Sequence, residues 1–124
     1  MTRTFESSSF VFVSSRTGSV MGRVERRLLR VMAALIASES KVYLICTPRS
    51  PIQVEAQALG VEIAPYHLDK LNYFRTRSRV RKYLERYQPL AVHSTGLEAD
   101  LIVRWATHEM RTVKENYMTS IDYP

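Results

Sequence analysis

The sequence contains little cysteine and glycine, and it has no long hydrophobic run. Its single cysteine, Cys46, excludes an internal disulfide and a structural zinc site built on several thiolates. Four glycines and five prolines are too few for a linker or collagen-like chain. No apolar run approaches the roughly 20 residues that cross a bilayer as a helix. We therefore expect a protein of the reducing cytoplasm.

The start of the sequence also lacks the pattern of a secretory signal. Arg3 is followed by a phenylalanine, a glutamate and three serines rather than by an apolar segment, so we expect no signal peptide. The remaining composition is that of a globular protein, with 45% hydrophobic and 24% charged residues. Because domains typically have roughly 100–150 residues, we expect residues 1–124 to form one domain.

The charge is unbalanced, with 18 lysines and arginines against 12 acidic residues and a net charge of +6. Such an excess favours anionic partners: nucleic acid, phosphate-bearing ligands or an anionic lipid surface. Much of it lies in residues 70–87, a predicted helix with tyrosines at helical spacing. The cations expected to form a membrane or anion surface are Arg75, Arg77, Arg79, Arg81, Lys82 and Arg86. The alternative is a solvated basic face; nucleic-acid binding ranks lower because no reader motif is present.

Short apolar segments alternate with segments of helical period. Strands are expected at 9–14, 41–46, 61–66 and 90–94, with a fifth opening at 111–113, and helices at 21–37, 51–59, 71–87 and 97–108. This alternation predicts an α/β fold in three layers, α/β/α, with a doubly wound, Rossmann-like parallel sheet. Right-handed crossovers favour the strand order 3-2-1-4-5.

In that order the chain reverses direction between strands 1 and 4, and ligands of such sheets bind beyond the carboxyl ends of the strands there. The two loops at this place are expected to hold an anion or a sugar hydroxyl. Their candidate residues are Ser15, Gly18, Gly22, Thr95 and Gly96. The glycine spacing matches neither G-x-G-x-x-G nor the P-loop, so a plain strand-to-helix turn is the alternative interpretation.

The best-placed group for proton transfer is His93, near the end of the fourth strand. We take it as a candidate catalytic residue; the alternative is a hydrogen-bonded core histidine. His, Cys, Asp and Glu nowhere show the spacing of metal ligands, so we expect no metal and no cofactor. Cys46, inside a buried strand, is expected to be a small core residue.

Four segments, in the right order, resemble the amino-terminal domain of glycosyltransferase family 4. Residues 22–35 (GRVERRLLRVMAAL) resemble its first helix, and residues 41–48 (KVYLICTP) its second strand. Residues 58–65 (ALGVEIAP) resemble the approach to its third strand. Residues 88–96 (QPLAVHSTG) are similar to the family's P-D-V-V-H-x-H-G.

The resemblance implies a GT-B fold, in which two Rossmann-like domains face each other and the amino-terminal one binds the acceptor. Many members act on lipid-linked acceptors at the cytoplasmic face of the membrane. For this chain it implies a sugar or lipid-linked acceptor, and peripheral association with the inner membrane face. It places Gly22 toward the phosphates of a nucleotide-sugar donor and His93 near the acceptor.

The sequence also departs from the family. The glycine pair of the first loop is reduced to Met21-Gly22, and Thr95 replaces the second histidine of H-x-H. No E-x7-E pair occurs, and we expect the carboxyl-terminal donor domain to be absent. The isolated chain is then inactive and uses a nucleotide sugar only with a second domain or chain. The alternative function is a non-catalytic Rossmann-like binding or assembly module that uses its basic helix on anionic surfaces. A homo-oligomer is compatible with either function.

Overall fold

The computed structural model describes residues 8–16, 21–111 and 118–122, with side chains described for 8–16 and 21–109. The elements are β1 (Ser9–Ser14), α1 (Arg23–Ala37), β2 (Lys41–Cys46), α2 (Pro51–Ala58), β3 (Glu62–Pro65), α3 (Tyr73–Tyr87), β4 (Ala91–Thr95), α4 (Leu97–Arg111) and β5 (Met118–Asp122). The strands and helices expected before residue 109 are all present, with ends shifted by a few residues. The predicted α/β alternation is confirmed.

All described strands run parallel in one sheet of order β3-β2-β1-β4-β5, as predicted. The central strand is β1, whose Ser14 lies in register with Cys46 of β2 and Thr95 of β4. β2 and β4 lie on opposite sides of β1. The direction in which the chain adds strands to the sheet therefore reverses between β1 and β4. A gap for a ligand is therefore expected at the carboxyl ends of these two strands.

The position predicted for the fifth strand was wrong. Arg111, where the strand was expected to begin, is the last residue of α4, and residues 112–113 lie outside the described ranges. The strand that pairs with β4 is Met118–Asp122. The physical reason is that residues 109–111 (Glu-Met-Arg) are all good helix formers and continue α4.

The sheet separates two hydrophobic layers, because successive side chains of a strand point to opposite faces. On one face Phe12 of β1 packs with Leu28 and Met32 of α1 and with Ile52 of α2. On the other face the buried core comes from β1, β4 and the helices α3 and α4: Val11, Val13, Val80, Leu84, Val92, Ile102 and Val103. The predicted three layers are thus present.

Two further expectations concern the burial of Cys46 and the presence of membrane-spanning helices. Cys46 is fully buried in β2, and this burial raises the pKa of its thiol, which keeps it protonated and inert. Its prediction as a core residue is confirmed. In the ranges the structure describes, no helix combines the length and apolar character needed to cross a bilayer.

Candidate functional site

At the carboxyl ends of β1 and β4, Ser15 connects the two strands and the helix that follows. Its backbone N–H donates to the carbonyl oxygen of Thr95 at 3.0 Å. Its side-chain Oγ accepts a hydrogen bond from the backbone N–H of Ala99 at 3.1 Å. Ser15 therefore caps the first turn of α4 from the end of a neighbouring strand. An N-cap residue normally accepts such a hydrogen bond from the position directly before its own helix. We call this region, residues 14–16, 21–22 and 94–98, the rim.

Gly96 lies directly against that serine. Its φ of +102° is in the region that favours glycine, and a Cβ at this position would overlap Ser15 Oγ. The predicted site residue Gly96 thus has a structural reason to be glycine: it lets β4 turn into α4 while Ser15 stays in contact with the turn.

Glu25 holds the other side of the rim. This carboxylate is 8% exposed, accepts the N–H of Gly22 at 2.7 Å through Oε2, and forms an ion pair with Arg16 through Oε1. The amide of Gly22, placed toward donor phosphates by the resemblance, is engaged by a carboxylate of the same chain. Gly18, between these two anchors, lies outside the described residues. Sequence reasoning missed Glu25, although its position three residues after the helix N-cap is typical of a capping box.

A second buried pair fixes α4 on β4. The hydroxyl of Ser94 donates to Oδ1 of Asp100 at 2.7 Å, and both residues are at most 3% exposed. Sequence reasoning did not find this pair, because the acidic residue lies six positions away in a different element. Together with Ser15, it fixes the direction in which α4 leaves the sheet.

His93 lies on the face of the sheet covered by α1, rather than in either loop. Its ring lies beside Phe12, with 5.7 Å between ring centroids and planes inclined by 49°. The strand alternation puts the hydroxyls of Ser14 and Thr95 on this same face. Both hydroxyls are fully buried and have no hydrogen-bond partner in the described part of the chain. A half-buried histidine at this position fits a catalytic and a structural role equally, so the catalytic role of His93 stays a prediction.

The six cations predicted to form one surface divide into groups. Arg81 is paired with two carboxylates: its Nε lies 2.8 Å from Glu85, and its Nη1 lies 3.9 Å from Glu109 of α4. Arg77 stacks its guanidinium carbon 4.1 Å from the ring centroid of Trp105 and 4.7 Å from that of Phe74. These two cations are engaged on the side of α3 that faces α4.

Three other cations meet on the opposite side of α3. They line a cavity of about 320 Å³, here called the tyrosine cavity, whose residues are Tyr66, Arg79, Lys82, Tyr83, Arg86 and Tyr87. The last of the six cations, Arg75, is exposed and does not line it. The structure therefore replaces the single predicted basic surface with two different environments along one helix.

An exposed apolar patch lies beside the rim. It consists of Leu71, Phe74, Leu97 and Leu101, which are 98%, 71%, 64% and 47% exposed. Three of the four line a shallow cavity of about 280 Å³ together with Lys70, Tyr73 and Glu98. Because Leu97 belongs both to the rim and to the apolar patch, the two regions are continuous. The patch could not be predicted from the sequence, because its leucines come from two segments far apart in the chain.

The described residues contain no cluster of three or more His, Cys, Asp or Glu side chains able to hold a metal ion. At the rim, the Arg16 side chain is 36% exposed and pairs with Glu25, whereas the hydroxyls of Ser14, Ser94 and Thr95 are buried. A partly exposed guanidinium can donate hydrogen bonds to a polar organic ligand.

No family model matches the chain, and no curated protein matches it. Three solved structures share its fold. A glycosyltransferase from Rickettsia africae ESF-5 has a TM-score of 0.71 at 14% identity, over 93% of this chain and 29% of that one. MurG of Acinetobacter baumannii has a TM-score of 0.71 at 11% identity, over 94% and 35%. The glycotransferase of kitacinnamycin has a TM-score of 0.59 at 11% identity, over 93% and 30%.

The likeness is one of fold, since the identities are low. The chain spans about a third of the length of each of these structures. It shares the Rossmann-like α/β fold of these structures, and the predicted fold class is confirmed.

Proposed function

We propose that this chain is the acceptor-binding part of a GT-B glycosyltransferase of family 4 type. In this proposal it contributes to sugar transfer from a nucleotide-sugar donor only together with a second domain or chain. The observation that carries the proposal is the shared fold with three glycosyltransferases over more than nine-tenths of the chain. The four sequence segments that resemble the family support the finer assignment to its amino-terminal domain.

The construction of the rim fits an acceptor site. Binding sites work best when the groups around the ligand are held by neighbouring contacts, and here Ser15, Glu25 and Asp100 hold both loops against the sheet. The partly exposed guanidinium of Arg16 can donate hydrogen bonds to the hydroxyls of a sugar. In this proposal His93 lies beneath the acceptor, and proton transfer by this residue is part of the hypothesis.

The apolar patch supports an acceptor carried by a lipid. Contiguous exposed apolar side chains rimmed by polar residues are typical of interaction sites. Lys70 lines the same shallow cavity, and the guanidinium of Arg77 stacks on Phe74. Cations beside an apolar surface match the anionic headgroups and acyl boundary of a membrane. We propose that this surface docks on an anionic bilayer and brings the rim to the acceptor.

Vesicle flotation tests this docking. The double variant Leu71→Ser, Phe74→Ser removes two exposed side chains, each worth about 1.5–3 kcal/mol when fully buried. We expect it to weaken binding to vesicles containing phosphatidylglycerol by at least about tenfold. The matched control is Val54→Ser on α2, which removes an exposed apolar side chain, 65% accessible, away from the patch. Flotation of the double variant equal to that of the wild type would contradict membrane docking.

A transfer assay tests the requirement for a second part. The purified chain, given nucleotide sugars and a lipid extract as acceptor, is expected to transfer no sugar. Transfer by this chain alone would overturn the proposal that donor chemistry resides elsewhere, whatever the outcome of the flotation experiment.

A further inference from the structure

The tyrosine cavity gathers three cations that form no ion pair within the described part of the chain. Arg79, Lys82 and Arg86 recur at spacing i, i+3 and i+7, so they lie along one side of α3. Among the described residues none of the three forms an ion pair with a carboxylate, in contrast to Arg81. Each of them lines the same cavity. Cations that converge on a concavity without partners favour an anionic ligand.

Aromatic stacking holds the two guanidinium groups in place. The guanidinium carbon of Arg79 lies 4.3 Å from the ring centroid of Tyr66, and that of Arg86 lies 5.3 Å from Tyr87. These rings are braced in turn by Tyr83, whose centroid lies 6.2 Å from Tyr66 and 4.7 Å from Tyr87. A guanidinium that lies over a ring can still direct N–H groups to the oxygens of a phosphate group.

The phenol groups add hydrogen-bond donors. Burial, reinforced by the neighbouring Tyr87 and Glu62, raises the pKa of Tyr83 well above its ordinary value. Its hydroxyl therefore stays protonated and can donate to an anion at neutral pH. Tyrosine rings also offer apolar faces beside a polar tip, which suits a ring that carries both C–H and O–H groups.

We propose that the tyrosine cavity binds a phosphate ester of a sugar or polyol. The phosphate contacts Arg79, Lys82 and Arg86, and the sugar or polyol ring lies against the tyrosines. A phosphate monoester carries a charge of about −1.5 to −2 and three acceptor oxygens, which two guanidiniums and one ammonium can satisfy. The volume of about 320 Å³ is at the lower end of small-molecule sites.

This site is separate from the function proposed above. The apolar patch includes Phe74, on the α4-facing side of α3 where Arg77 stacks on it and on Trp105. The tyrosine cavity lies on the other side of α3, against Tyr66 at the end of β3. The two sites can be altered independently, so failure of one proposal leaves the other standing.

Calorimetric titration with glucose 1-phosphate, inorganic phosphate and glucose tests the proposal. We expect glucose 1-phosphate to bind about tenfold more tightly than inorganic phosphate, and glucose to show no binding. The double variant Arg79→Gln, Arg86→Gln replaces exposed side chains and should keep the fold. It is expected to lose at least about tenfold in affinity for glucose 1-phosphate.

The matched control is the double variant Arg75→Gln, Lys41→Gln, which removes the same charge from exposed positions outside the cavity. It should bind glucose 1-phosphate within about twofold of the wild type. Equal weakening by both double variants would show that net charge alone attracts the anion, and would overturn the site. Equal affinity for inorganic phosphate and glucose 1-phosphate would overturn the contact with a ring, and absence of glucose 1-phosphate binding would overturn the whole proposal.

A lipid headgroup and a free sugar phosphate share this chemistry, and vesicles separate them. Preference for phosphatidylinositol over phosphatidylglycerol vesicles, lost in Arg79→Gln, Arg86→Gln, would identify a lipid headgroup as the source. Binding of glucose 1-phosphate without that preference would identify a soluble sugar phosphate. The variant Leu71→Ser, Phe74→Ser should leave the titration unchanged, which keeps this result distinct from that of membrane docking.

Discussion

The rim and the outer side of α3 are both candidate binding regions, yet they are built in opposite ways. At the rim the polar side chains Ser15, Glu25 and Ser94 are all engaged within the protein. On α3, the cations Arg79 and Arg86 touch aromatic faces and have no carboxylate partner within the described chain. Substitutions at the rim should therefore change stability, whereas substitutions on α3 should change binding and leave the fold intact.

The largest effect on stability is expected at the rim, from Gly96→Ala. The new Cβ would meet Ser15 Oγ in a backbone conformation that L-residues rarely adopt. The two penalties together should lower the free energy of unfolding by about 3 kcal/mol, measured by urea denaturation.

The matched control for this variant is Gly60→Ala. Gly60 also has a positive φ, +92°, but a Cβ there has no neighbour within 4 Å. Its cost is expected to be about 1 kcal/mol, from backbone conformation alone. If both variants lost the same stability, close packing of Ser15 against the rim would not be the cause.

A smaller effect, confined to alkaline pH, is expected from Tyr83 of α3. Because the folded pKa of Tyr83 is raised, the folded state holds its phenolic proton more tightly than the unfolded state does. The resulting stability is present below about pH 10, the unfolded value, and is lost as the pH rises beyond it. Urea midpoints measured from neutral to alkaline pH should therefore fall less steeply in Tyr83→Phe than in the wild type.

The control for the alkaline experiment is Tyr73→Phe. It removes one phenol from the same helix, but its ring lies against Phe74 rather than against other tyrosines. We expect its alkaline profile to follow the wild type. A Tyr83→Phe profile as steep as that of the wild type would show that this phenol does not set the alkaline limit.

The smallest effect is expected from Arg81→Gln, on the side of α3 that faces α4. The variant breaks two exposed ion pairs, with Glu85 and Glu109. Surface pairs of this kind contribute little, so unfolding should change by less than about 0.5 kcal/mol, and by still less in high salt. A loss comparable to that of Gly96→Ala would remove the distinction between the two regions.

Much of the fold could be predicted from the sequence, because local signals and topology rules agree. Apolar strands alternate with amphipathic helices, Pro51 marks a helix start and Gly60 a helix end, and right-handed crossovers then leave few strand orders. The fifth strand was misplaced because residues 109–111 favour a helix and the later segment carries no clear period. Its pairing depends on the tertiary edge offered by β4.

The candidate site stays a prediction. Topology places it at the ends of β1 and β4, where Ser15 and Gly96 lie in contact. The contacts that build it join residues distant in sequence, such as Ser15 with Ala99, and no local pattern encodes them. The separation of the cations of α3 into two groups could not be predicted from the sequence either. It depends on which side of α3 faces Trp105 and which faces Tyr66.

The hydrogen bond from Ala99 to Ser15 spans 84 positions of sequence, and it makes one amide a reporter for two regions. Exchange of the Ala99 amide hydrogen with solvent requires Ser15 to move away from the start of α4. The same first turn carries Leu97 of the apolar patch, and Leu101 opens the next turn. Any ligand that shifts the strand-end loop would therefore alter both the exchange rate of this amide and the order of the apolar side chains next to it.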